Sequence, residues 1–245
     1  MLHALHSQIQ RLRDRATDEV QFLVAVFLAV FCAASILLLG DLLLGGTAPA
    51  IDNAILRVLR NPANLGDPRG PQVLKEAFVD VTALGSSTVL VLMTTILLGF
   101  LVISGRLRTA MFVVAVTLGG AILNTGLKHN IARVRPVVVP QLVEESSYSF
   151  PSGHAQATAI VFLTLGVILS REEPALKRKR FVLATALGLT LLVGFSRVYL
   201  GVHYATDVLG GWTIGLGWLL TCWAVDYWLL SSSQASSADS ARRPS

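Results

Sequence analysis

Residues 109–136 read TAMFVVAVTLGGAILNTGLKHNIARVRP, and the change of character inside this stretch decides the fold. Positions 109–127 carry no charge at all, over a length close to the roughly 20 apolar residues that cross a bilayer as a helix. Lys128, Arg133 and Arg135 then crowd the end of that run, and Pro136 closes it. An apolar run of this length bordered by cations is the pattern of a membrane span and its edge.

Five more apolar runs, at 21–44, 87–104, 155–170, 181–195 and 205–230, complete a reading of six spans. The two shortest extend into flanking residues. Composition agrees: 53% of residues are hydrophobic and 14% charged, against about 25% charged in an ordinary soluble domain. That excludes a soluble globular domain, and it excludes disorder everywhere but the ends. The net charge of +5 does not point to nucleic acid, because the basic residues sit in short connections between apolar runs and form no single face. The expected fold is all-α, a six-transmembrane-helix bundle. Its parts are a cytoplasmic N-terminal segment (1–20), a six-span domain (21–230) and a disordered cytoplasmic tail (231–245). The first run is too long for the apolar region of a cleaved signal, and no A-x-A site closes it. Cys32 and Cys222 lie within apolar runs and read as packing residues, with no disulfide framework or C-x-x-C motif.

Lysine and arginine set the orientation. Arg11, Arg13 and Arg15, then Arg106 and Arg108, then Arg171 and Lys177–Arg180, then Arg242 and Arg243 all fall on one side of six spans. That side is expected to be cytoplasmic and to hold both termini. Trp223, Tyr227 and Trp228 suit an interfacial belt there. The segment 45–86 becomes an outer loop between spans one and two. Residues 52–60 read as a short amphipathic helix with Ile55, Leu56, Val58 and Leu59 apolar, 61–71 as turns, and 72–84 as a second helix; a place flat on the bilayer surface and a packed loop with no substrate role are both open. The pairs Gly119–Gly120 and Gly210–Gly211 read as close helix contacts.

Three polar clusters fall at outer span ends: Lys128 through Arg135-Pro136, Pro151-Ser152-Gly153-His154, and Ser196-Arg197 with His203 and Asp207. Ionisable groups at a membrane edge are costly and are functional or paired. Arg135 and Arg197 each offer a planar fork to a phosphate, and Lys128 adds a point charge. Pro136 is expected to end a helix through Arg135. Ser152, Gly153 and the helix start after them form an anion site, with His154 beside it. His203 and Asp207 are four apart, so on a helix starting near His203 the carboxylate fixes one ring nitrogen and frees the other to attack. The second histidine would donate a proton to the leaving oxygen. His3, His6 and His129 read as ordinary. Two histidines and an aspartate form a conceivable metal set, but the surrounding arginines repel a cation, so no metal and no cofactor are expected. These residues alone leave hydrolysis and transfer both open. They also leave histidine and serine both open as nucleophile, with histidine favoured because Asp207 suits His203 and Ser152 has no equally clear base.

Lys-x6-Arg-Pro, Pro-Ser-Gly-His and Ser-Arg-x5-His-x3-Asp together resemble the signature of the type 2 phosphatidic acid phosphatase (PAP2) superfamily, over 128–207, and the six-span layout extends the resemblance to about 20–230. The resemblance implies a bacterial membrane lipid phosphatase of the inner membrane, metal-independent and with a covalent phosphohistidine, its site facing outward. His203 would be the nucleophile, Asp207 its orienting partner and His154 the general acid. Lys128, Arg135, Ser152, Gly153 and Arg197 would cradle the phosphate. The expected partners are a lipid phosphate or pyrophosphate substrate and membrane lipids, with no nucleic acid. The soluble vanadate-dependent haloperoxidases of the same superfamily fit this apolar chain less well. The alternatives are a phosphotransferase using the same intermediate, and a non-enzymatic transporter or lipid-binding protein. The latter is disfavoured because the polar groups gather near one surface and no pair of broken helices repeats.

Overall fold

The structure, a computed structural model, describes residues 47–240 and, before them, helical residues at 22–23, 26–30 and 32. From Thr47 onward the chain forms α1 (Thr47–Val58), a small antiparallel hairpin of β1 (Arg60–Asn61) and β2 (Asn64–Pro68), and α2 (Gln72–Ala83). These are followed by α3 (Ser87–Ile103), α4 (Leu107–Ile131), α5 (Gly153–Glu172), α6 (Leu176–Tyr199) and α7 (Ala205–Ser240).

Among the described residues, α4, α5, α6 and residues Ala205–Leu230 of α7 are long and apolar enough to span a bilayer. The expected span at 87–104 is α3, which has 17 residues and reaches spanning character only together with α2, from which it bends by 46°. The Ser86 hydroxyl accepts the Val89 N–H and so restarts the helix at that bend. The described residues thus hold four helices of spanning length, or five spans if the bent pair is one. The first expected span, 21–44, lies outside them apart from the few positions named. Large apolar side chains stand exposed along α3 and α4, among them Ile96, Phe100, Leu118 and Ile122. Water would not tolerate such a surface, and lipid accepts it. The chain is an integral membrane protein.

Two expectations need adjustment. The fold is not purely α: Asn61 and Asn64 each accept a backbone N–H two residues on, and these Asx turns fold the Asn- and Gly-rich 61–71 stretch into a hairpin. In addition, α7 continues as helix to Ser240, ten residues into the tail expected to be disordered. A helix already nucleated extends cheaply through Ser, Ala and Gln.

The helix α5 forms the centre, packed on α4, α6 and α7, and is the most buried of the spans. Its seam with α7 is made by small residues. Gly211 and Gly215, one turn apart, lie over Ala155 and Ala159. A Cβ on Gly211 would meet the Ser152 carbonyl oxygen at 2.7 Å, and one on Gly215 the Gln156 carbonyl oxygen at 2.8 Å. Such a stripe lets backbones touch where lipid offers no hydrophobic drive. Gly119 and Gly120 act likewise, against Trp218 and Ile160.

Ion pairs fix the antiparallel order. Arg106 meets Glu172 at 2.7 Å and Arg108 meets Asp226 at 2.8 Å, so the start of α4 and the ends of α5 and α7 share one end of the bundle. The other end gathers the last turns of α4 and α6 and the first turns of α5 and α7. The segment from α1 to α2 sits over that end. Leu56 is fully buried with Val139, Ala155, Val198 and Val208, and Phe78 packs on Tyr199 with ring centroids 4.4 Å apart. So α1 faces the bundle with Leu56 and Asp52 rather than lying flat on its apolar side.

Gly215→Ala should lower stability by about 1–3 kcal/mol, the usual cost of overpacking. Gly188, whose Cβ would meet nothing within 4 Å, should tolerate alanine or gain about 0.5–1 kcal/mol. Melting midpoints in detergent compare the two; equal shifts would show that the seam is not closely packed.

Candidate active site

The last turn of α4 delivers Lys128, and the helix then stops earlier than expected. Ala132 turns into the left-handed region at φ 48°, its N–H still bonded to the Lys128 carbonyl. A non-glycine residue there costs about 1–2 kcal/mol. The turn sends Arg133 and Arg135 out in extended chain, so Pro136 does not itself end the helix. Residues 136–152 then loop across the bundle end and return to α5, which Ser152 opens.

Arg135 is the hub. Its Nε donates to the Ser147 carbonyl at 2.6 Å, Nη2 to the Ser147 hydroxyl at 3.0 Å, and Nη1 to the Val202 carbonyl at 2.6 Å. Lys128 Nζ reaches the same Ser147 hydroxyl at 3.1 Å and donates to the Tyr148 carbonyl. Arg135 Nη1 also lies 3.2 Å from His203 Nε2. A guanidinium has no acceptor, so this contact requires a lone pair on Nε2 and puts the ring proton on Nδ1. Nδ1 faces Asp207 Oδ2 at 3.5 Å, an ionic contact slightly long for a closed hydrogen bond. His203 thus holds the tautomer whose Nε2 carries a lone pair, turned toward Arg135. It lies in the turn before α7, with Asp207 in the first turn of that helix.

Burial pushes His203 down to about 4; Asp207 pulls it up, and Arg135 and Arg197 push it further down. Near neutrality the ring is therefore uncharged. Arg197 is almost fully buried; it donates to the Thr82 hydroxyl at 3.0 Å and to Glu145. Glu145 stands 3.5 Å from Arg135 as well, so one carboxylate is shared by the two forks. Burial raises Glu145, but Arg197 and Arg135 outweigh it and hold the carboxyl below its usual range.

Lys128, Arg135, Gly153, His154 and His203 line one cavity of about 580 Å³, which Glu145 also borders. Ser152, Arg197 and Asp207 stand behind its wall, tied in by contacts. The Ser152 N–H donates to the Asp207 carbonyl at 3.0 Å, so that amide is not among those available to an anion. The Ser152 hydroxyl is fully buried and unpartnered. A Cβ on Gly153 would meet only Asn124 and Lys128 at ordinary contact distances, so glycine keeps room beside Lys128 rather than relieving a clash. From the charged end the cavity continues between α3 and α4, walled by Leu90, Val91, Leu98, Val114 and Leu118. A second, open hollow lies along residues 141–146 and includes none of the eight expected site residues.

Residues 108–230, half of the chain, match the PAP2 superfamily. The chain belongs to the PAP2 superfamily. It is similar to phosphatidylglycerophosphatase B of Bacillus subtilis, 40% identical over 144 residues that cover 58% of this chain and 70% of the relative. It also resembles the undecaprenyl-diphosphatase of Sulfolobus acidocaldarius, at 34% identity over 109 residues, 42% of this chain and 46% of that one. The crystal structure of a transmembrane PAP2-type phosphatidylglycerolphosphate phosphatase from Bacillus subtilis superposes with a TM-score of 0.71 at 33% identity, covering 81% of this chain and 95% of the other. This PAP2 chain is a membrane lipid phosphatase by family.

The PAP2 site holds residues that spacing alone did not single out. Glu145, Ser147 and Ser149 come from the loop, Asp52 and Thr82 from the segment over the bundle end, and Arg133 stands out in the sequence only as one of the cations at the end of the 109–127 run. Gly85 is a further one: a Cβ there would stand 2.6 Å from Val193 Cγ1 and 3.1 Å from His154 Cδ2, so a side chain would have to displace Val193 and would crowd the histidine ring. Pro151-Ser152-Gly153-His154 gave no hint of these partners. The weak local signals were the adjacent acids Glu144 and Glu145 in the loop and a Gly-Ser-Ser break between helices.

A compact oxyanion such as orthovanadate should bind this PAP2 cavity and raise the melting midpoint, by about 2.7 kcal/mol of stability at a hundredfold excess over Kd. Arg135→Ala should lose that shift. An equal shift in both proteins would place the anion elsewhere.

Proposed function

We propose that this protein hydrolyses a lipid phosphate or diphosphate through a phosphohistidine, without a metal ion. One observation carries the reading: His203 Nε2 presents its lone pair beside Arg135 in a cavity that continues between apolar helices. The phosphoryl group lies among Lys128, Arg135, Arg197 and the α5 start, with Ser152 and Gly153 at its edge, in place of the Glu145 carboxylate. Fixed cations that match the charge developing on the phosphoryl oxygens lower the barrier without reorganising.

In the first step Nε2 forms a bond to phosphorus and the bond from phosphorus to the leaving oxygen breaks. His154 supplies the proton that this oxygen needs. Asp207 supports the positive charge that appears on the His203 ring. In the second step water attacks the phosphohistidine, the P–N bond breaks, His154 takes the water proton and inorganic phosphate leaves. The relatives' names cover a phosphate monoester and a diphosphate, phosphatidylglycerophosphatase B and undecaprenyl-diphosphatase, so the substrate belongs to one of these two classes. The apolar stretch of the cavity takes the start of the lipid chain.

Six spans with both termini cytoplasmic and the site facing outward, in an inner membrane, complete the proposal, with 21–230 as the membrane domain. The support is that Arg106, Arg108, Arg171 and Lys177–Arg180 lie at the end of the bundle opposite the site, as the inside bias of basic residues requires. A C-terminal reporter should read cytoplasmic.

Purified protein in detergent should release phosphate from phosphatidic acid, phosphatidylglycerol phosphate or undecaprenyl diphosphate, and EDTA should not stop it. His203→Ala should abolish turnover and the acid-quenched phosphoenzyme together; a phosphoenzyme that persists would overturn the nucleophile. Because the depressed His203 loses its proton above about pH 4, the acid limb of kcat/KM should fall near 4 rather than near the ordinary 6.5.

A further inference from the structure

Asp52 lies in α1, 81 residues from Arg133 and 154 from Thr206, both of which it touches, and is fully buried. Nothing in the proposed chemistry uses it directly. Its Oδ2 accepts from Arg133 Nη2 at 2.9 Å and from the Thr206 hydroxyl, and its Oδ1 accepts the Thr206 N–H at 3.1 Å. The other arm of the same guanidinium, Arg133 Nη1, donates to Asp207 Oδ1 at 2.5 Å and to the Thr206 hydroxyl at 2.8 Å. The Arg133 plane rests on the Tyr204 ring, 4.2 Å from its centroid. One guanidinium therefore bridges two buried carboxylates, and the far one is the partner of His203.

The geometry points to Asp52 as a positioning residue that acts through Arg133 and Asp207 on His203. This rests on the reading of His203 as nucleophile. Asp207 Oδ1 is held by Arg133, while Oδ2 receives the Ser149 hydroxyl and the Tyr204 N–H at 2.9 Å and faces His203. A carboxylate held at both oxygens cannot rotate, so the imidazole has one orientation. Arg133 can hold Asp207 only while it is itself held, because an arginine carries several rotatable bonds and a single contact leaves most of that freedom. Asp52 and the Tyr204 face supply the second and third constraints. Charge adds to the argument. Two carboxylates against one guanidinium leave the cluster one negative charge in excess, next to a ring that becomes positive when Nε2 bonds to phosphorus. Removing Asp52 therefore weakens both the aim and the field that the reaction needs. The segment over the bundle end thus gains a part in catalysis, although none of its side chains in this cluster reaches the cavity.

The test uses the full chain in detergent with the lipid phosphate that the wild type turns over best. Asp52→Asn keeps size and most hydrogen bonds but removes the charge. It should lower kcat by about 10–100-fold, as loss of an outer partner does, with KM within about twofold and the vanadate-induced melting shift retained. In an Asp207→Asn background the same change should add less than about twofold, because the path through Asp207 is already cut. A purely structural tie would multiply fully onto Asp207→Asn, and that result overturns the inference. So does unchanged kcat, or a rise in KM alone. If Asp52→Asn does not purify as a folded protein, Arg133→Lys takes its place, since it keeps the cation but cannot bridge two carboxylates, and the same pattern is required of it. A wild type silent on every lipid phosphate would sink the nucleophile reading itself, a result distinct from an active wild type with an indifferent Asp52.

Discussion

Four guanidinium groups, those of Arg60, Arg133, Arg135 and Arg197, are buried or nearly so at one end of an apolar bundle, and each must be compensated there. Taking a charge out of water costs several kcal/mol even after relaxation, and stripping one partner from a buried pair costs about 3–5 kcal/mol. The arrangement of the whole outer end follows from this demand. Arg133 lies between Asp52 and Asp207, Arg135 and Arg197 share Glu145, and Arg60 donates to the Tyr199 carbonyl at 2.6 Å. The loop 136–152, α1 and the end of α2 are ordered over the bundle because they carry these counter-groups. Gly201, at φ +73°, turns the chain where a side chain would collide with Arg60 Nη2 at 2.5 Å, so even the turn before His203 is shaped by a buried cation.

The glycine seam between α5 and α7 sets the other half of the geometry. Ser152 and His154 begin α5, and His203 and Asp207 precede or begin α7, so the approach of these two helices fixes the distance between the two halves of the site. The Ser152 N–H to Asp207 carbonyl bond locks the two starts directly. Small side chains thus act on chemistry some distance away by setting how closely two backbones run.

Much of this was legible in the sequence because it is local. Apolar runs announce helices, and Lys128, Arg135, Ser152, Gly153, His154, Arg197, His203 and Asp207 announce themselves by spacing within single span ends. The two short helices before α3 were legible from their apolar periodicity. What stayed hidden depends on partners far along the chain. Glu145 finds Arg197 across 52 residues, Thr82 finds Arg197 across 115, and Asp52 finds Thr206 across 154. No spacing rule links such pairs, and an acid in a loop reads as solvated until its cation is seen. The stop of α4 at Ile131 was hidden for a related reason. Local propensity favours continuing to Pro136, and only the demand to aim Arg133 and Arg135 justifies a strained alanine.

The cavity that passes from the charged end down between α3 and α4 also changes the energetics of handling a lipid. Drawing a long hydrocarbon tail into water costs about 0.8 kcal/mol for each methylene, so full extraction of a tail of some fifteen carbons would impose a penalty on the order of 12 kcal/mol before any bond changed. A cavity walled by these two apolar helices lowers that penalty, since the tail can stay against apolar surface while only the polar tip travels. Encounter then becomes a two-dimensional search within the membrane, governed by surface density rather than by solubility.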